Sequence, residues 1–317
     1  MRFLDSGQIR SATVWDELID AIAEIIADDA VVAPDRQVLS MGRPGEEPAS
    51  LLLMPGWINR EIVGVKAATF FPSNAGTSSS TIHAIYLCFD GQNGKLKAVL
   101  DGDELTARRT AAVSALAART LARPDAARLL VVGTGQLAPN MARAHSKVRR
   151  FEAIQIWGRN PAAAREVAEL LAAEGLPATA TSDLDESIGR ADIISCATSA
   201  TSPLVFGERL APGTHLDLVG SFRPDMREVD DAAITQAALF VDTVPGAVQS
   251  GDLAQPLADG AISEESIIAD LRSLVTDRHP GRRIPEEVTV FKSAGFALAD
   301  LAAARLALRQ VDHHPFE

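Results

Sequence analysis

The spacing of apolar residues predicts one helix near the start of the chain and a sheet after it. From Thr13 to about Asp29, apolar residues recur at helical intervals: Val14, Leu18, Ile22, Ile25 and Ile26. Three extended segments rich in β-branched and aromatic residues then predict a small antiparallel or mixed sheet: SLLLMPGWI, IVGVKAATFF and TIHAIYLCFD. The turn DGQNG at Asp90 to Gly94 has hairpin chemistry, since Gly and Asn tolerate positive φ.

A second helical pattern runs through LTARRTAAVSALAARTLA, and Pro124 follows its end. We expect Asp103 to cap this helix, because a carboxylate can accept hydrogen bonds from the free N–H groups of a first turn. On that reading Arg109 lies in about the first helical turn, where the positive end of the helix dipole adds to its guanidinium in attracting an anion.

The pattern then changes to short apolar strands that alternate with helices. ARLLVVGTGQLAPNMARAHSKV, FEAIQIWGRN and PAAAREVAELLAAEG begin the alternation, and RADIISCAT, GTHLDLVGSF and AALFVDTV continue it as buried strands. This rhythm is typical of a parallel sheet. VTVFKSAGFALADLAAARLALR reads as a strand that leads into an amphipathic helix. The sequence therefore predicts an α/β fold, in which residues 118–291 form a domain inserted into one built from 1–117 and 292–317.

Composition narrows the class of protein. The 317 residues are 47% hydrophobic, which suits a globular protein with two domains, and the net charge of −12 argues against a general nucleic-acid or anionic-membrane surface. No apolar run is long enough for a membrane helix, and Asp5 interrupts the start where a signal peptide would be apolar, so we expect a cytoplasmic protein. Cys88 and Cys196 lie in separate apolar segments and are expected to be small core residues. The six histidines show no metal-ligand spacing, so no metal is predicted.

A glycine-rich turn carries the strongest chemical signal. It follows the apolar strand Leu129 to Val132 and opens a helix, and its residues are Gly133, Thr134, Gly135, Gln136, Leu137 and Ala138. Glycines in such a turn let the backbone approach a pyrophosphate that rests on the helix N-terminus. The alternative is a plain turn between a strand and a helix. The strand before it and the βαβ rhythm after it favour a dinucleotide site.

The residues after the next strand bear on which dinucleotide is bound. An acidic residue there would accept hydrogen bonds from the ribose 2′-hydroxyl, whereas this chain has WGRN. Arg159 and Asn160 form a donor pair suited to a 2′-phosphate, which favours NADPH, with NADH as the other possibility. A solvated loop arginine is the alternative interpretation.

Three cations are candidates for holding an anionic substrate. Lys66 lies in an otherwise apolar strand and needs a partner there, because burying an unpaired charge is costly. Arg109 and Arg36 are the other two. Arg108 is turned about 100° around the helix from Arg109, so at most one of the pair faces the same site. Each cation alone could equally be a surface charge or a salt-bridge member.

The chain resembles the ornithine cyclodeaminase and μ-crystallin family. The matching pieces cover essentially the whole chain in order: PDR at Pro34 to Arg36, VGVKAA, DGDELTARRTAAVSALA, VVGTGQLA, WGRN, DLVGSFRPDMREVDD, VDT, GDL and TVFKSAGFALAD. The resemblance implies a central Rossmann-type, doubly wound domain, a terminal domain for substrate binding and dimerisation, an active site between them, and a homodimer.

The resemblance also implies roles for individual residues. Arg36, Lys66 and Arg109 would hold the carboxylate of an amino or imino acid. The glycine turn, Arg159 and Asn160 would lie along the cofactor, and the resemblance adds four further residues there: Thr81, Thr198, Lys292 and Ser293. His83 would lie with Thr81 near the nicotinamide.

One position departs from the cyclodeaminase pattern. Ornithine cyclodeaminases and archaeal alanine dehydrogenases of the family carry a catalytic Asp where this chain has Phe222, in GSFRPD. Asp225 and Glu228 are close in sequence but in another register, so neither is assigned that role. A cyclic ketimine can arrive already protonated, and its reduction then needs positioning and charge balance more than an acid. Phe222 would pack on the substrate ring.

The sequence thus predicts an NADPH-dependent reductase of cyclic imino acids, in which Lys66 and Arg109 serve catalysis and Phe222 contacts the substrate. Its substrate would be Δ1-pyrroline-2-carboxylate, converted to L-proline, with Δ1-piperideine-2-carboxylate and L-pipecolate as the six-membered pair. The alternatives are ornithine cyclodeaminase, L-alanine dehydrogenase and a non-catalytic binding protein like the μ-crystallins.

Overall fold

The computed structural model describes residues 1–42, 49–74, 77 and 79–313. Its strands are, in chain order, β1 (Arg2–Leu4), β2 (Val31–Val32), β3 (Gln37–Met41), β4 (Ala49–Ile58), β5 (Ile62–Phe70), β6 (Ile82–Asp90), β7 (Leu96–Asp101), β8 (Arg128–Val132), β9 (Ala153–Trp157), β10 (Ala178–Ala180), β11 (Ile193–Cys196), β12 (His215–Leu218), β13 (Ala238–Val241), β14 (Ile267–Asp270) and β15 (Thr289–Lys292). Its α-helices are α1 (Ser6–Ala12), α2 (Trp15–Ala27), α3 (Gly102–Leu121), α4 (Leu137–Val148), α5 (Pro161–Ala173), α6 (Leu184–Arg190), α7 (Asp231–Thr235), α8 (Val244–Ala247), α9 (Gly251–Ala258), α10 (Leu271–Val275) and α11 (Ala297–His313).

The chain divides into two compact units. Unit 1 consists of Met1–Arg109 with Phe296–Glu317, and unit 2 consists of Thr110–Gly295. The boundaries expected from sequence fell after residues 117 and 291. Both differences have a local reason, because α3 runs on through the first expected boundary and β15 belongs to the sheet of unit 2. The assignment of separate roles to two domains stays a prediction.

Unit 1 contains a mixed sheet of seven strands in the order β1-β7-β6-β5-β4-β2, with β3 paired to β4. Among its described strand pairs β1 and β7 run parallel and the others antiparallel, and the long antiparallel ladders of β4, β5 and β6 are the three extended segments predicted from sequence. The expected hairpin turn joins β6 to β7, where Gly94 has a φ of +73°. Helix α2 buries four of the five residues of the predicted apolar stripe, Leu18, Ile22, Ile25 and Ile26, whereas Val14 is the exposed N-cap.

Unit 2 is a doubly wound parallel sheet of eight strands in the order β10-β9-β8-β11-β12-β15-β13-β14, which confirms the predicted Rossmann-type fold. The strands run outward from β8 through β9 to β10, and the chain then returns to place β11 on the other side of β8. The switch point of the sheet therefore lies at the carboxyl ends of β8 and β11, where open α/β sheets bind their ligands.

The N-terminus of α3 differs from the expectation. The Oδ1 of Asp101 accepts hydrogen bonds from the backbone N–H groups of Asp103 and Glu104 at 3.1 and 2.9 Å, so Asp101 caps the helix. The proposed cap, Asp103, is wrong: its carboxylate accepts instead from the N–H of Ala84 on β6 at 3.0 Å. The helix starts at Gly102, so Arg109 lies beyond the first turn, and the helix dipole adds little to its attraction for an anion.

Candidate active site

Lys66 and Arg109 meet at one buried carboxylate in unit 1. Lys66 Nζ lies 2.8 Å from Oδ2 of Asp300, and Arg109 Nε donates to Oδ1 of Asp300 at 2.9 Å. The Asp300 side chain is fully buried, and those of Lys66 and Arg109 are nearly so. The structure therefore fixes both cations, which the family resemblance assigns to one substrate carboxylate, to the same buried acid.

The alternation of β5 explains how a lysine reaches this position. Ile62, Gly64, Lys66 and Ala68 share one face of the strand, and Lys66 stands opposite Met54 on β4 and Tyr86 on β6, both of which are buried. The face is covered by α11, which brings Asp300 to the lysine. Asp300 was missed, although a lone acid within the Ala/Leu-rich run ALADLAAARLALR was the available signal.

The cluster has an excess of positive charge. The pKa of Lys66 is lowered to about 8, first by burial and then by the charges of Arg109 and Arg36, while Asp300 works in the opposite direction. Arg36, just before β3, is thus close enough to Lys66 to influence its ionisation. With Lys66 protonated, Lys66 and Arg109 share the one carboxylate of Asp300, and Arg36 adds a further positive charge near Lys66, so positive charges outnumber negative ones in the cluster. An anionic ligand would balance that charge.

The two neighbouring arginines of α3 have different partners, as the helical geometry predicted. The guanidinium of Arg108 lies 4.0 Å from the centre of the Trp15 ring and donates to Thr13, whereas Arg109 pairs with Asp300. Arg108 therefore anchors α3 to the start of α2. Arg109 is the member of the pair that belongs to the cationic cluster.

The glycine turn of unit 2 has the form of a phosphate loop. Gly133 follows β8 with a φ of +133°, and a Cβ there would lie 2.6 Å from the carbonyl oxygen of Ala197, at the end of β11. Gly135 has open space where its Cβ would be, and α4 begins at Leu137. The turn thus sits at the switch point with its backbone accessible, which fits a pyrophosphate on the N-terminus of α4.

The two residues predicted to select the cofactor, Arg159 and Asn160, follow the end of β9. Arg159 is exposed, and no ion pair of it is seen within the described ranges. Asn160 is the N-cap of α5, where its Oδ1 accepts from Ala162 N at 3.0 Å. The cap uses only the acceptor oxygen of Asn160, so its NH₂ group can still donate to a phosphate beside the guanidinium of Arg159. Gly158 packs against the Thr134 side chain and leaves no room for a Cβ.

Other predicted cofactor residues follow strands of the same sheet. Thr198 comes after β11, and Lys292 and Ser293 come at the end of β15. Lys292 is fully buried, with Nζ 3.1 Å from Oδ2 of Asp252, so its ammonium is occupied within the protein. The structure therefore does not support a direct contact between the Lys292 ammonium and the cofactor. The role of its backbone stays a prediction.

A buried acid holds the segment that follows Lys292. Asp242 accepts from Ser293 Oγ at 2.9 Å and from the N–H groups of Ala294 and Gly295 at 2.8 and 2.7 Å. Burial raises its pKa, and these donors oppose the rise. The VDT piece at Val241 to Thr243 thus fixes the loop that carries Ser293, a role that the sequence pattern did not reveal.

The remaining predicted residues lie in both units. Phe222 follows β12 in unit 2 and is half-buried, whereas Thr81 and His83 lie at the start of β6 in unit 1. Asp225 is paired with Arg223, which agrees with leaving it out of the catalytic assignment. Glu228 is fully buried, and burial and the nearby Asp252 raise its pKa to about 7.

Cys88 and Cys196 are both free and buried, as expected. Within residues 1–42, 49–74, 77 and 79–313, no group of three or more His, Cys, Asp or Glu is arranged to hold a metal, and His314 lies outside them. None of the helices in those ranges is both long enough and apolar enough to span a membrane.

Fold and site together define an α/β protein with a dinucleotide-type turn and a separate cationic cluster. The chain belongs to the ornithine cyclodeaminase/mu-crystallin family, whose model matches residues 3–313. It is 37% identical over 307 residues to a Δ1-pyrroline-2-carboxylate reductase of Paracoccus denitrificans, covering 96% of this chain and 95% of that protein.

Two solved structures are also similar. A Thermococcus litoralis Δ1-pyrroline-2-carboxylate reductase in complex with NADH and L-proline superposes with a TM-score of 0.93 at 28% identity, covering 99% of this chain and 98% of that one. The iminosuccinate reductase of Paracoccus denitrificans in complex with NAD+ gives a TM-score of 0.87 at 29% identity, covering 99% and 97%. The predicted resemblance is therefore confirmed.

Proposed function

We propose that this chain is an NADPH-dependent reductase of cyclic imino acids that converts Δ1-pyrroline-2-carboxylate to L-proline. The observation that carries the proposal is the pairing of Lys66 and Arg109 with Asp300, with Arg36 near Lys66, in a chain that also has the glycine turn. The six-membered Δ1-piperideine-2-carboxylate, which would give L-pipecolate, is a second substrate of the same chemistry.

The relatives support the broader part of this statement. They are reductases of imino acids, and the solved ones hold NADH or NAD+, so the chain is a nicotinamide-dependent oxidoreductase that acts on an imino acid. NADPH preference and ring size go beyond what these relatives provide. They rest on residues of this chain.

In the proposed mechanism the cationic cluster binds the substrate carboxylate. Arg36 and Arg109 donate charge-assisted hydrogen bonds, and Lys66 adds positive charge beside them. Asp300 holds the heads of Lys66 and Arg109 in place before substrate arrives, so little ordering is needed on binding. The cluster thus contributes orientation of the imine carbon, which is a large part of the rate enhancement in such a reaction.

Phe222 favours a substrate that arrives protonated. An iminium carries its own proton, so no carboxylic acid is required at this position, and an aromatic side chain can pack on the ring. Oxidation of L-ornithine would call for a base near the amine, and Phe222 cannot supply one. The substitution therefore favours imine reduction over ornithine cyclisation, the first alternative.

The dinucleotide site fits the group that the reaction requires. A bound nicotinamide supplies the hydride to the imine carbon. The N–H groups of the glycine turn and of the first turn of α4 would bind the pyrophosphate, and Thr198 and Ser293 would line the nicotinamide end. Arg159, exposed at the N-terminus of α5, would bind a 2′-phosphate, which supports NADPH over NADH.

A homodimer is part of the proposal, and unit 1 offers a surface for it. The sheet face opposite Lys66 has apolar side chains in register: Phe3 and Leu87 flank Val99, and Ile85 and Leu39 lie on the same face. Phe3, Ile85 and Leu39 are 65%, 45% and 48% exposed. An apolar sheet face of this kind is typical of an interface.

A substrate panel tests the proposed function. Δ1-pyrroline-2-carboxylate, Δ1-piperideine-2-carboxylate, L-ornithine with NAD+, and pyruvate with ammonia and NADH are each assayed by the absorbance of the reduced nicotinamide. We expect the cyclic imines with NADPH to give the highest kcat/KM. Ammonia release from L-ornithine would support a cyclodeaminase, and turnover of pyruvate with ammonia an alanine dehydrogenase. The absence of any turnover would support a binding protein.

A further inference from the structure

One buried carboxylate joins two loops at the carboxyl edge of the unit 2 sheet. Oε1 of Glu228 accepts hydrogen bonds from Thr198 N at 2.7 Å and Thr198 Oγ1 at 2.8 Å. Oε2 accepts from Gly220 N at 2.8 Å and Ser221 N at 3.3 Å. Glu228 thus holds the loop after β11 and the loop after β12 to each other.

The loop after β12 packs directly against the loop after β11 at Gly220. A Cβ on Gly220 would overlap both the carbonyl oxygen of Thr198 and the Glu228 carboxylate, so the two loops are as close as backbones can be. Phe222 is two residues beyond Gly220. The position of its backbone is therefore set by the same carboxylate that fixes Thr198.

Only a carboxylate can make this bridge. Each oxygen of Glu228 faces at least one backbone N–H, so both positions require an acceptor. Glutamine has one oxygen and one NH₂ group, and in either orientation the NH₂ would face an N–H donor. Aspartate has the charge but is one methylene shorter.

The backbone of Glu228 is held by a second buried acid. Asp252 at the start of α9 accepts from the Glu228 backbone N–H at 2.7 Å and pairs with Lys292 Nζ at 3.1 Å. Glu228, Asp252 and Lys292 are all fully buried. The bridge therefore rests on a fully buried ion pair at the end of β15.

We propose that Glu228 is a positioning residue for hydride transfer, which sets Thr198 against the nicotinamide half of the cofactor and Phe222 against the substrate ring. The proposal rests on the proposed function. Glu228 touches neither ligand, and it acts through the two loops. Its loss should therefore affect the nicotinamide half of the cofactor and leave the adenosine half unchanged.

The test separates the two halves of the cofactor. In Glu228→Gln we expect kcat for Δ1-pyrroline-2-carboxylate to fall by about tenfold or more and the Kd of NADPH to rise, since a buried charge-assisted hydrogen bond is lost. The Kd of 2′,5′-ADP, which lacks the nicotinamide, should stay within about twofold because the glycine turn and Arg159 are untouched. Unchanged kcat and NADPH affinity in the folded variant would overturn the proposal. An equal rise in the Kd of NADPH and the Kd of 2′,5′-ADP would also overturn it.

A matched control addresses general loss of stability. Asp183→Asn weakens the N-cap of α6, where Asp183 accepts from Glu186 N at 2.9 Å, in the same unit but away from the two loops. It should lower the melting temperature and leave kcat and both dissociation constants unchanged. A kinetic effect of similar size in this control would show that Glu228 acts through stability alone.

A second variant carries the test if Glu228→Gln does not fold. Thr198→Val removes the hydroxyl, which donates to Glu228 and accepts from Ala200 N at 3.2 Å, and keeps the backbone N–H to Glu228. It should lower kcat by about two- to fivefold with unchanged 2′,5′-ADP binding, and full wild-type kinetics would contradict the proposal. Failure of the proposed function would look different, because the wild type would then reduce no imine while the NADPH and 2′,5′-ADP affinities still tested Glu228.

Discussion

The ammonium of Lys66 and the carboxylate of Asp300 form a buried ion pair at 2.8 Å, although 234 positions separate the two residues in the sequence. The same carboxylate accepts from Arg109, so one acid on α11 fixes two cations that come from a strand and from another helix. A single acid between several cations leaves positive charge for a ligand.

Replacing Asp300 by Asn should harm both stability and the ionisation of Lys66. The change leaves two buried cations without a counter-charge, which costs about 3–5 kcal/mol of unfolding free energy, as for other broken buried pairs. The pKa of Lys66 should drop below about 8, because Asp300 now raises it. Urea unfolding measures the first effect. Asp312→Asn, which removes an exposed acid from the same helix, should change stability by under about 0.5 kcal/mol. A loss no larger than that control would contradict the account.

Replacing Arg109 by Met should raise KM for the imino acid by about 30- to 100-fold, since a charge-assisted hydrogen bond to the carboxylate is lost. Steady-state kinetics with saturating NADPH measure this. Its neighbour gives the matched control: Arg108→Met removes a buried arginine that packs on Trp15 and should lower stability while KM stays within about twofold. An unchanged KM in the Arg109 variant would remove it from the carboxylate site.

Binding of a carboxylate should weaken as the pH rises through about 8. The pKa of Lys66 is lowered to about 8, so the ammonium loses its charge above that pH and the cluster becomes less positive. A suitable probe is pyrrole-2-carboxylate, a planar ring acid that does not itself ionise in this range. We expect its Kd to increase between pH 7 and 9 in the wild type and to be flat in Lys66→Met. A flat wild-type profile would contradict the role of Lys66.

The same pKa shift has the opposite sign for stability. The folded protein holds the Lys66 proton less tightly than the unfolded chain, whose pKa is near 10.5. The contribution of Lys66 to stability is therefore fully present above pH 10.5 and is lost as the pH falls through about 8. The stability difference between the wild type and Lys66→Met, measured across that range, should follow this direction.

Arg159 should set the choice of cofactor. In Arg159→Ala we expect kcat/KM for NADPH to fall by about tenfold or more, because a guanidinium–phosphate contact is lost, while the value for NADH changes little. Arg165→Ala, six residues after Arg159 within α5 and also exposed, is the control and should leave the ratio unchanged. Equal effects on the two cofactors would place the 2′-phosphate elsewhere or show that it is not recognised.

The apolar sheet face of unit 1 should mediate the homodimer. Ile85→Lys puts a charge into the centre of that face, where Ile85 is 45% exposed, so the dimer should dissociate at a concentration at which the wild type remains associated. Sedimentation equilibrium measures both masses. Ile284→Lys, at an exposed apolar residue of unit 2, is the control. A variant at Ile85 with unchanged mass would exclude this face.

Much of the fold could be predicted because it depends on local patterns. Period-two runs predicted β4, β5 and β6, and the alternation of apolar strands with helices predicted the parallel sheet. Short elements without a clear period, such as β1 and β14, were not predicted. The cap of α3 was assigned to Asp103 instead of Asp101, because two acids beside one helix start look alike in sequence.

The site was predictable only where one segment carries the chemistry. The glycine turn is contiguous, and its φ of +133° at Gly133 fits its motif. Asp300, Asp242 and Glu228 could not be assigned, since each acts on residues far away in the chain or on backbone N–H groups. Their common signal, an acid within an apolar or small-residue context, becomes meaningful only when the partners are known.

The central claim is that hydride passes from the nicotinamide to the imine carbon of a cyclic imino acid. The most direct measurement uses NADPH with deuterium at the transferable C4 position, Δ1-pyrroline-2-carboxylate as substrate, and mass spectrometry of the product. The account predicts L-proline that carries one deuterium at Cα. Proline without deuterium, or no proline together with ammonia release from L-ornithine, would contradict it.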